Sequence, residues 1–388
     1  MNEKNFKFID LFSGIGGFHQ ALSSLGGQCV FSSEIDKECI NVYNKNYNIS
    51  SDYDITKVDE TKIPFHDVLC AGFPCQTFSK AGKQAGVNDT RGTLFFEIER
   101  ILRYHHTKYI ILENVRNLVS HDHGNTWKVI KNILHDIGYR LTVEPLILSP
   151  HQFGIPQIRD RVYILGVFNP EYRSSPINIA INEMQKKDMN SIDTVLDHHR
   201  VDQKYYISDY ERYVLGAWDD FYKGIKEKII GFPIWSEFFR YSTPPENFPA
   251  WKKVFVQKNI DLYLNNMDFI DRWLIENDNL EDFAPTHRKF EWQAGTKIKS
   301  LWDGVIQFRP SGIRVKKPDV FPALVAIVQI PVIGKYKRRL TVRECARLQS
   351  FPDSFIPSDN LLAAYKQFGN SVNVDVVKYL ANYLLNTY

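Results

Sequence analysis

The sequence is poor in the features that mark secreted, membrane-bound and strongly basic proteins. Its five cysteines are an odd number without the spacing of a disulfide framework or a zinc site, so reduced thiols and no metal centre are expected. It has no run of about eighteen apolar residues, and its polar, charged first seven residues do not resemble a signal peptide. A net charge of +3 does not by itself indicate a nucleic-acid partner. A cytoplasmic globular protein with no membrane span is therefore predicted.

The first 168 residues alternate short apolar runs with amphipathic stretches, a pattern typical of a parallel sheet wound with helices. Periodicity weakens after residue 168, and six of the seven tryptophans lie at 218–302, where they are expected to form a core rather than base-stacking platforms. A helical pattern with an apolar stripe resumes from Leu340. We therefore predict an α/β fold with a large domain (1–170), a smaller domain (171–338) and a C-terminal segment (339–388) that returns to the large one. Strands are predicted at 6–11, 28–33, 67–71, 109–112 and 162–167, and helices at 17–25, 36–46, 93–104 and 127–137.

A glycine cluster joins the first predicted strand to the first helix. Gly14, Gly16 and Gly17 allow a sharp turn and a close approach of the backbone to a ligand at the helix N-terminus. Glu34 ends the next strand, where a carboxylate can accept hydrogen bonds from ribose hydroxyls. The pattern favours a nucleoside-cofactor site, with a structural turn beside a surface acid as the alternative. The third spaced glycine of the dinucleotide fingerprint is missing, which argues against NAD.

A cysteine follows another predicted strand, in the sequence Gly72-Phe-Pro-Cys75. Loops at the carboxyl ends of strands line the ligand crevice of a doubly wound sheet, so Cys75 is expected beside the cofactor. A thiolate is a soft nucleophile suited to an electron-poor pyrimidine ring. A buried structural cysteine is the alternative.

An acid and two arginines complete the set of candidate catalytic residues. Glu113 ends an apolar strand, where partial burial can raise its pKa and let it share a proton with a ring nitrogen. Arg159 and Arg161 alternate just before a strand and can enter one pocket together. The alternatives are an acid that caps the next turn and two arginines on an exposed strand edge.

The order of these motifs, followed by Arg343-Glu-Cys-Ala-Arg-Leu-Gln349 and Gln367-Phe-Gly-Asn-Ser-Val372, resembles the cytosine-5 DNA methyltransferase family of bacterial restriction–modification systems. Only residues 175–305 lack a recognisable counterpart, as a variable target-recognition domain would. The resemblance implies a Rossmann-like S-adenosylmethionine-dependent methyltransferase domain with a smaller target-recognition domain. It also implies methyl transfer from S-adenosylmethionine to carbon 5 of a cytosine flipped out of double-stranded DNA.

The same resemblance assigns roles to individual positions. Cys75 matches the nucleophile that adds to carbon 6 of cytosine, and Glu113 matches the group that contacts ring nitrogen 3 and the exocyclic amine. Arg159 and Arg161 match the pair that holds the base and the thiolate, with Gln157 in support. The positions that match cofactor contacts are Phe12, Ser13, Gly14, Gly16, Gly17, Glu34, Ile35, Asp54, Ile55, Pro74, Leu94, Asn370 and Val372.

A DNA partner is also favoured by local charge. Nine basic residues lie between Arg309 and Arg343 against the single acid Asp319, and such a cluster suits phosphate neutralisation. A solvated basic face is the alternative. The expected DNA contacts, with those of the family's active-site loop placed first, are Gln76, Ser79, Lys83, Arg91, Arg309, Arg314, Lys316, Lys317, Lys335 and Lys337.

Two departures from the family pattern concern binding rather than chemistry. Ile35 stands where many relatives place an aromatic residue against the adenine, and Ala323-Leu324 stands where relatives often carry Thr-Leu. Three other functions compete: an RNA cytosine-5 methyltransferase, a catalytically silent DNA-binding protein and a nicotinamide oxidoreductase. A monomer associated with the bacterial nucleoid, with a cognate restriction endonuclease acting on the same site, is expected.

Overall fold

The computed structural model describes residues 5–74, 94–179, 188–228, 230–327 and 329–388. The chain divides into two units. The first unit comprises residues 1–190, 323–328 and 345–388, and the second comprises residues 191–322 and 329–344. The boundaries predicted from the sequence were 170 and 338. The grouping of the short segment 323–328 with the first unit was not predicted. No helix among the described residues is both long and apolar enough to cross a membrane.

The N-terminal half alternates strands and helices. The nine elements predicted from the sequence lie close to their expected bounds, whereas four shorter elements were not predicted. The helices are α1 (Gly17–Ser23), α2 (Lys37–Tyr47), α3 (Leu94–His105), α4 (Asn117–Ser120) and α5 (Asn125–Ile137). The strands are β1 (Phe6–Leu11), β2 (Gly27–Ser33), β3 (Val68–Gly72), β4 (Tyr109–Val115), β5 (Tyr139–Leu141), β6 (Leu146–Leu148), β7 (Gln157–Ile158) and β8 (Arg161–Phe168).

The remainder of the chain mixes longer helices with short strands. Its helices are α6 (Asp209–Gly224), α7 (Ala250–Asn265), α8 (Met267–Glu276), α9 (Val342–Leu348), α10 (Leu361–Asn370) and α11 (Val374–Thr387). Its strands are β9 (Ile234–Trp235), β10 (Lys289–Gln293), β11 (Val305–Arg309), β12 (Gly312–Lys316), β13 (Phe321–Pro322), β14 (Val332–Ile333) and β15 (Arg338–Arg339).

The large sheet has the strand order β2-β1-β3-β4-β8-β5, with β6 also paired to β8. Strands β1 to β4 are parallel, so their carboxyl ends meet at one edge. Strand β8 is antiparallel to β4 and therefore begins at that edge, with Arg161 opposite Val115. This topology brings the glycine loop, Glu34, Pro74, Glu113 and Arg161 to the same side of the sheet.

The sheet is buried on both faces, which explains why its strands are almost continuously apolar rather than alternating. Helices α3 and α5 contribute to one core with β1, β3 and β4. The C-terminal helix α11 packs against α1 and β4, as its apolar stripe predicted. At the same place, Gly17 leaves no room for a side chain, because an added Cβ would lie 2.7 Å from Val372 Cγ2.

The second unit has its own sheet, of order β15-β14-β11-β12-β10-β9, and an aromatic core. Trp218 is fully buried, stacks on Phe290 at 4.9 Å between ring centroids, and donates its indole N–H to the His287 carbonyl at 2.8 Å. The expectation that these aromatics form a core is confirmed for Trp218 and other buried rings. Trp251 is an exception, because it is 61% exposed on α7.

Candidate active site

A cavity of about 410 Å³ lies at the edge of the large sheet where the parallel strands end. Its wall unites residues that are far apart in the sequence, and all of them belong to the first unit. It therefore brings together most of the described candidate cofactor and catalytic residues. These are Phe12, Ser13, Gly14, Gly17, Glu34, Ile35, Pro74, Leu94, Glu113, Arg159, Arg161, Asn370 and Val372.

Other wall residues were not proposed from the sequence. Most of them, such as Phe73 and Ser371, are direct neighbours of motif residues. Their position next to a motif could have indicated that they line the cavity. Asp36 and Cys39 come from the start of α2, where the Asp36 side chain caps the helix by accepting from the amides of Glu38 and Cys39. That capping pattern could have indicated them. The remaining unpredicted wall residues are Ile15, Phe18, Gly72, Asn114, Val115, Gln367 and Gly369.

The glycine loop depends on backbone conformations that side chains disfavour. Gly14 and Gly16 have φ of +55° and +84°. Gly16 also lacks room for a Cβ, which would lie 2.2 Å from the Tyr47 ring, and the Tyr47 hydroxyl donates to the Gly16 carbonyl at 2.9 Å. An added Cβ at Gly14 would meet nothing within 4 Å. The loop is thus supported from behind by Tyr47 and open at Gly14, which lines the cavity.

Glu34 joins this loop to the start of α2. Its Oε2 accepts from the Gly14 amide at 2.8 Å, and its Oε1 accepts from the amides of Ile35 at 2.8 Å and Asp36 at 2.9 Å. A carboxylate has about four lone-pair positions, so one remains for a ligand hydroxyl. Ile35 itself is 71% exposed at the cavity rim.

Glu113 and Arg161 form a partly enclosed ion pair in the cavity wall. Glu113 Oε1 lies 3.0 Å from Arg161 Nε, and Glu113 is only 8% exposed. Burial raises the pKa of Glu113, and the charges of Arg161 and Arg159 oppose this without cancelling it. The carboxyl therefore holds a proton more readily than an exposed glutamate does.

Asn114 connects Glu113's strand to the loop that leads to Cys75. Its Nδ2 donates to the Phe73 carbonyl at 2.8 Å, and its Oδ1 accepts from the Val115 amide at 2.8 Å. Pro74, the last described residue of that loop, lines the cavity. The described residues do not include five site residues predicted from the sequence, which are Cys75, Gln76, Ser79, Lys83 and Arg91.

Four of the predicted cofactor and catalytic residues that the structure describes lie outside the cavity wall. Gly16 supports the loop from behind, and Gln157 is fully buried, with neither side-chain amide atom hydrogen bonded among the described residues. Asp54 caps a short 3₁₀ turn by accepting from the Thr56 amide at 3.1 Å. Ile55 is buried in the core of the sheet domain.

Several basic side chains between Arg309 and Arg343 form ion pairs with acids, which the composition of the segment did not indicate. Arg309 and Arg314 both pair with Glu291, at 3.3 and 2.8 Å. Arg338 forms a buried pair with Glu344 at 2.7 Å, and Arg339 pairs with Glu211. Acids from neighbouring elements thus neutralise four of the nine cations. For four lysines in this segment no ion pair is found within the described parts of the chain: Lys316, Lys317, Lys335 and Lys337.

The chain is similar in sequence and in fold to known methyltransferases. The chain is 34% identical to the Type II methyltransferase M.AluI of Cellulosimicrobium cellulans, over 97% of this chain and 91% of that relative. It is 37% identical to the Type II methyltransferase M.HpaII of Haemophilus parainfluenzae, over 97% and 88% of the two chains. Its fold is similar to that of the S. pombe Dnmt2 methyltransferase, with a TM-score of 0.55, 19% identity and 98% coverage of both chains.

The sheet, the glycine loop and the cavity define an α/β methyltransferase fold. The family of C-5 cytosine-specific DNA methylases matches residues 6–386, so the chain belongs to that family. It is a DNA cytosine-5 methyltransferase, and the resemblance seen in its motifs is confirmed.

Proposed function

We propose that this enzyme methylates carbon 5 of a cytosine flipped out of double-stranded DNA, with S-adenosylmethionine as donor and Cys75 as nucleophile. We further propose that it is the monomeric modification enzyme of a restriction–modification system. One observation carries the proposal. A single cavity joins the glycine loop and Glu34 to the Glu113–Arg161 pair, beside the loop that leads to Cys75.

The residues present fit the proposed cofactor. The cavity volume of about 410 Å³ is in the range of small-molecule sites. Gly14 leaves its side of the loop open, and Glu34 keeps a lone pair for a ribose hydroxyl. Asn370 and Val372 complete the wall from the C-terminal segment. When bound, S-adenosylmethionine supplies an electrophilic methyl group on a sulfonium.

The chemistry of the base rests on three side chains. The Cys75 thiolate forms a bond to carbon 6, and the electrons of the 5,6 double bond then attack the methyl carbon from carbon 5. The bond between the methyl group and the sulfonium breaks, which leaves the cofactor as a neutral thioether. Glu113 contacts ring nitrogen 3 and offsets the charge that develops in the ring, while Arg161 holds Glu113 in place at 3.0 Å. Water then takes the carbon 5 proton, and the 5,6 double bond re-forms. The bond between the Cys75 sulfur and carbon 6 breaks, which regenerates the thiolate. Base flipping is required because the ring is inaccessible within the stack.

The Glu34→Ala variant tests the cofactor site. Removal of the carboxylate deletes the ribose contact and releases the amides of Gly14, Ile35 and Asp36. We expect the Kd for S-adenosylmethionine, measured by calorimetry, to rise by about tenfold or more. The affinity for DNA should remain nearly unchanged. The exposed Glu38, in the first turn of α2, provides the matched control, Glu38→Ala. An unchanged cofactor Kd in Glu34→Ala would remove Glu34 from the site.

We propose that the second unit reads the target sequence and that four of its lysines, for which the described residues provide no ion pair, neutralise DNA phosphates. Their replacement by alanine should weaken binding to all DNA sequences alike and flatten the salt dependence by nearly one unit of slope per lost contact. The methylated motif should stay the same, because phosphates do not report base identity. The control replaces exposed lysines of the first unit: Lys7, Lys62, Lys108 and Lys128. A changed motif with an unchanged salt slope contradicts the proposal. The four test lysines are Lys316, Lys317, Lys335 and Lys337.

The substrate is tested by transfer of tritium from labelled S-adenosylmethionine to duplex DNA and to RNA. Incorporation into duplex DNA alone is expected, whereas transfer to RNA alone favours the RNA alternative. Bisulfite sequencing of DNA from an expressing host then identifies the methylated motif. If a cognate endonuclease exists, DNA methylated by this enzyme should resist it.

A further inference from the structure

Arg159 is almost completely buried, and its guanidinium is bound to the backbone. Its Nη1 donates to the Leu324 carbonyl at 2.6 Å, and its Nη2 donates to the carbonyls of Gly369 and Ser371, both at 2.9 Å. Only 2% of the residue is exposed, although it borders the cavity. Both terminal nitrogens therefore already donate hydrogen bonds to backbone carbonyls of the protein.

The three carbonyls belong to two chain segments that are remote from Arg159 in sequence. Leu324 is 165 positions away, in the segment 323–328 that belongs to the first unit. Gly369 and Ser371 are 210 and 212 positions away and flank Asn370, which lines the cavity. One side chain thus joins the cavity wall formed by the C-terminal segment to the segment 323–328, which belongs to the first unit and interrupts the sequence of the second.

The guanidinium suits this task better than other side chains. Its planar fork of donors can satisfy several carbonyls at once, whereas an ammonium group is a point charge on a flexible stem. Buried carbonyls without a partner are costly, so each bond secures the segment that provides it. Burial lowers the pKa of Arg159 to about 9, which still leaves it charged near neutral pH. The backbone amide of Arg159 is itself fixed by the Ser149 hydroxyl at 2.8 Å.

Gly369 provides independent evidence that these segments meet closely. A Cβ added at Gly369 would lie 2.6 Å from the Val325 carbonyl carbon and 2.8 Å from its oxygen. These are backbone atoms, which cannot move aside as a flexible side chain could. The end of α10 therefore packs directly on the backbone of the 323–327 segment, next to the carbonyls that Arg159 binds.

We propose that Arg159 is a positioning residue whose guanidinium clamps the 323–327 segment to the turn Gly369–Ser371 and thereby shapes the cofactor wall. On this inference, Arg161 contacts the reacting base and Arg159 acts through Asn370 and its neighbours. The inference rests on the proposed function in one respect, namely that S-adenosylmethionine binds in this cavity.

The conservative variant Arg159→Lys distinguishes kinetically between a role in positioning the cofactor wall and a direct contact with the base. The single nitrogen of a lysine cannot occupy both positions from which Nη1 and Nη2 donate, so the wall at Asn370 should loosen. We expect the KM for S-adenosylmethionine to rise by about tenfold or more, with kcat at saturating cofactor within about threefold of the wild-type value. If Arg159 contacted the base directly, kcat would fall while the cofactor KM stayed the same, and that outcome overturns the inference. The control is Arg103→Lys, on the exposed face of α3.

A second variant perturbs the same junction without changing Arg159. Gly369→Ala forces α10 and Val325 apart and should reproduce the rise in cofactor KM with kcat preserved. Gly216→Ala is the matched control, because a Cβ at Gly216 would meet nothing within 4 Å. An unchanged cofactor KM in Gly369→Ala contradicts the inference even if Arg159→Lys folds poorly.

Other results would show that the cofactor does not bind at the proposed site. In that case the wild-type enzyme binds no S-adenosylmethionine, or Glu34→Ala leaves its Kd unchanged. If the wild type binds the cofactor, Glu34→Ala weakens binding, and Arg159→Lys and Gly369→Ala leave the KM unchanged, only the positioning role of Arg159 is refuted.

Discussion

Replacement of Glu113 by glutamine is expected to lower kcat by about 10²- to 10⁴-fold, the usual contribution of a positioned acid–base group. Glutamine preserves the size of the side chain and can still accept a hydrogen bond from Arg161, but it cannot exchange a proton with ring nitrogen 3. Cofactor binding should persist, because Glu34 and the glycine loop are unchanged. Single-turnover methylation and calorimetry measure the two effects separately. A kcat within tenfold of the wild type would exclude Glu113 from the chemical step.

The pH dependence provides a second test of Glu113. Its pKa is raised by burial, so the protonated form persists above the ordinary range of a glutamate. If that form assists attack on the ring, kcat should fall as the pH rises through the raised pKa. The residual activity of Glu113→Gln should lack this limb, because an amide does not titrate. Glu144→Gln, an exposed position in the first unit, should keep the wild-type rate and profile.

Replacement of Cys75 by serine should abolish methyl transfer, with a loss of at least about 10³-fold, and leave DNA binding intact. A serine hydroxyl has a far higher pKa than a thiol and cannot add to carbon 6 without further activation. Methyl transfer is followed with labelled S-adenosylmethionine, and DNA binding by fluorescence anisotropy. Turnover within tenfold of wild type would exclude the covalent role of Cys75.

Cys29→Ser is the control for this substitution. Burial raises the pKa of the Cys29 thiol to about 12, so this cysteine is protonated near neutral pH and unsuited to act as a nucleophile. Its thiol lies near the Phe31 carbonyl and the Tyr43 hydroxyl, away from the cavity wall. The variant should retain methyl transfer. Loss of activity in both variants would point to a general sensitivity of the fold rather than to a specific role of Cys75.

Much of the cavity was predictable because parallel strands impose a simple rule on their loops. The carboxyl ends of such strands lie at one edge, so the glycine loop, Glu34, Pro74 and Glu113 had to come together once the strands were recognised. Asn370 had no such local signal. Its placement came from the family resemblance, and the structure brings it to the cavity wall through α10.

The partners of charged side chains were less predictable. The segment containing Arg309 and Arg314 has a single acid in its own sequence, yet both arginines bind Glu291 on β10. Strand β12 lies between β11 and β10, which places Arg314 opposite Glu291. A count of charges along the chain cannot include an acid supplied by a neighbouring strand.

The sequence by itself determined the strand and helix pattern, the glycine turn and the order of motifs, because backbone preferences and hydrophobic periodicity are local properties. Tertiary structure alone decided that Arg159 binds Leu324, Gly369 and Ser371 and that Trp251 is exposed while Trp218 is buried. The physical reason is that a buried donor must find its acceptors among the segments that packing brings together. In this protein those segments lie 165 or more positions from Arg159 along the chain.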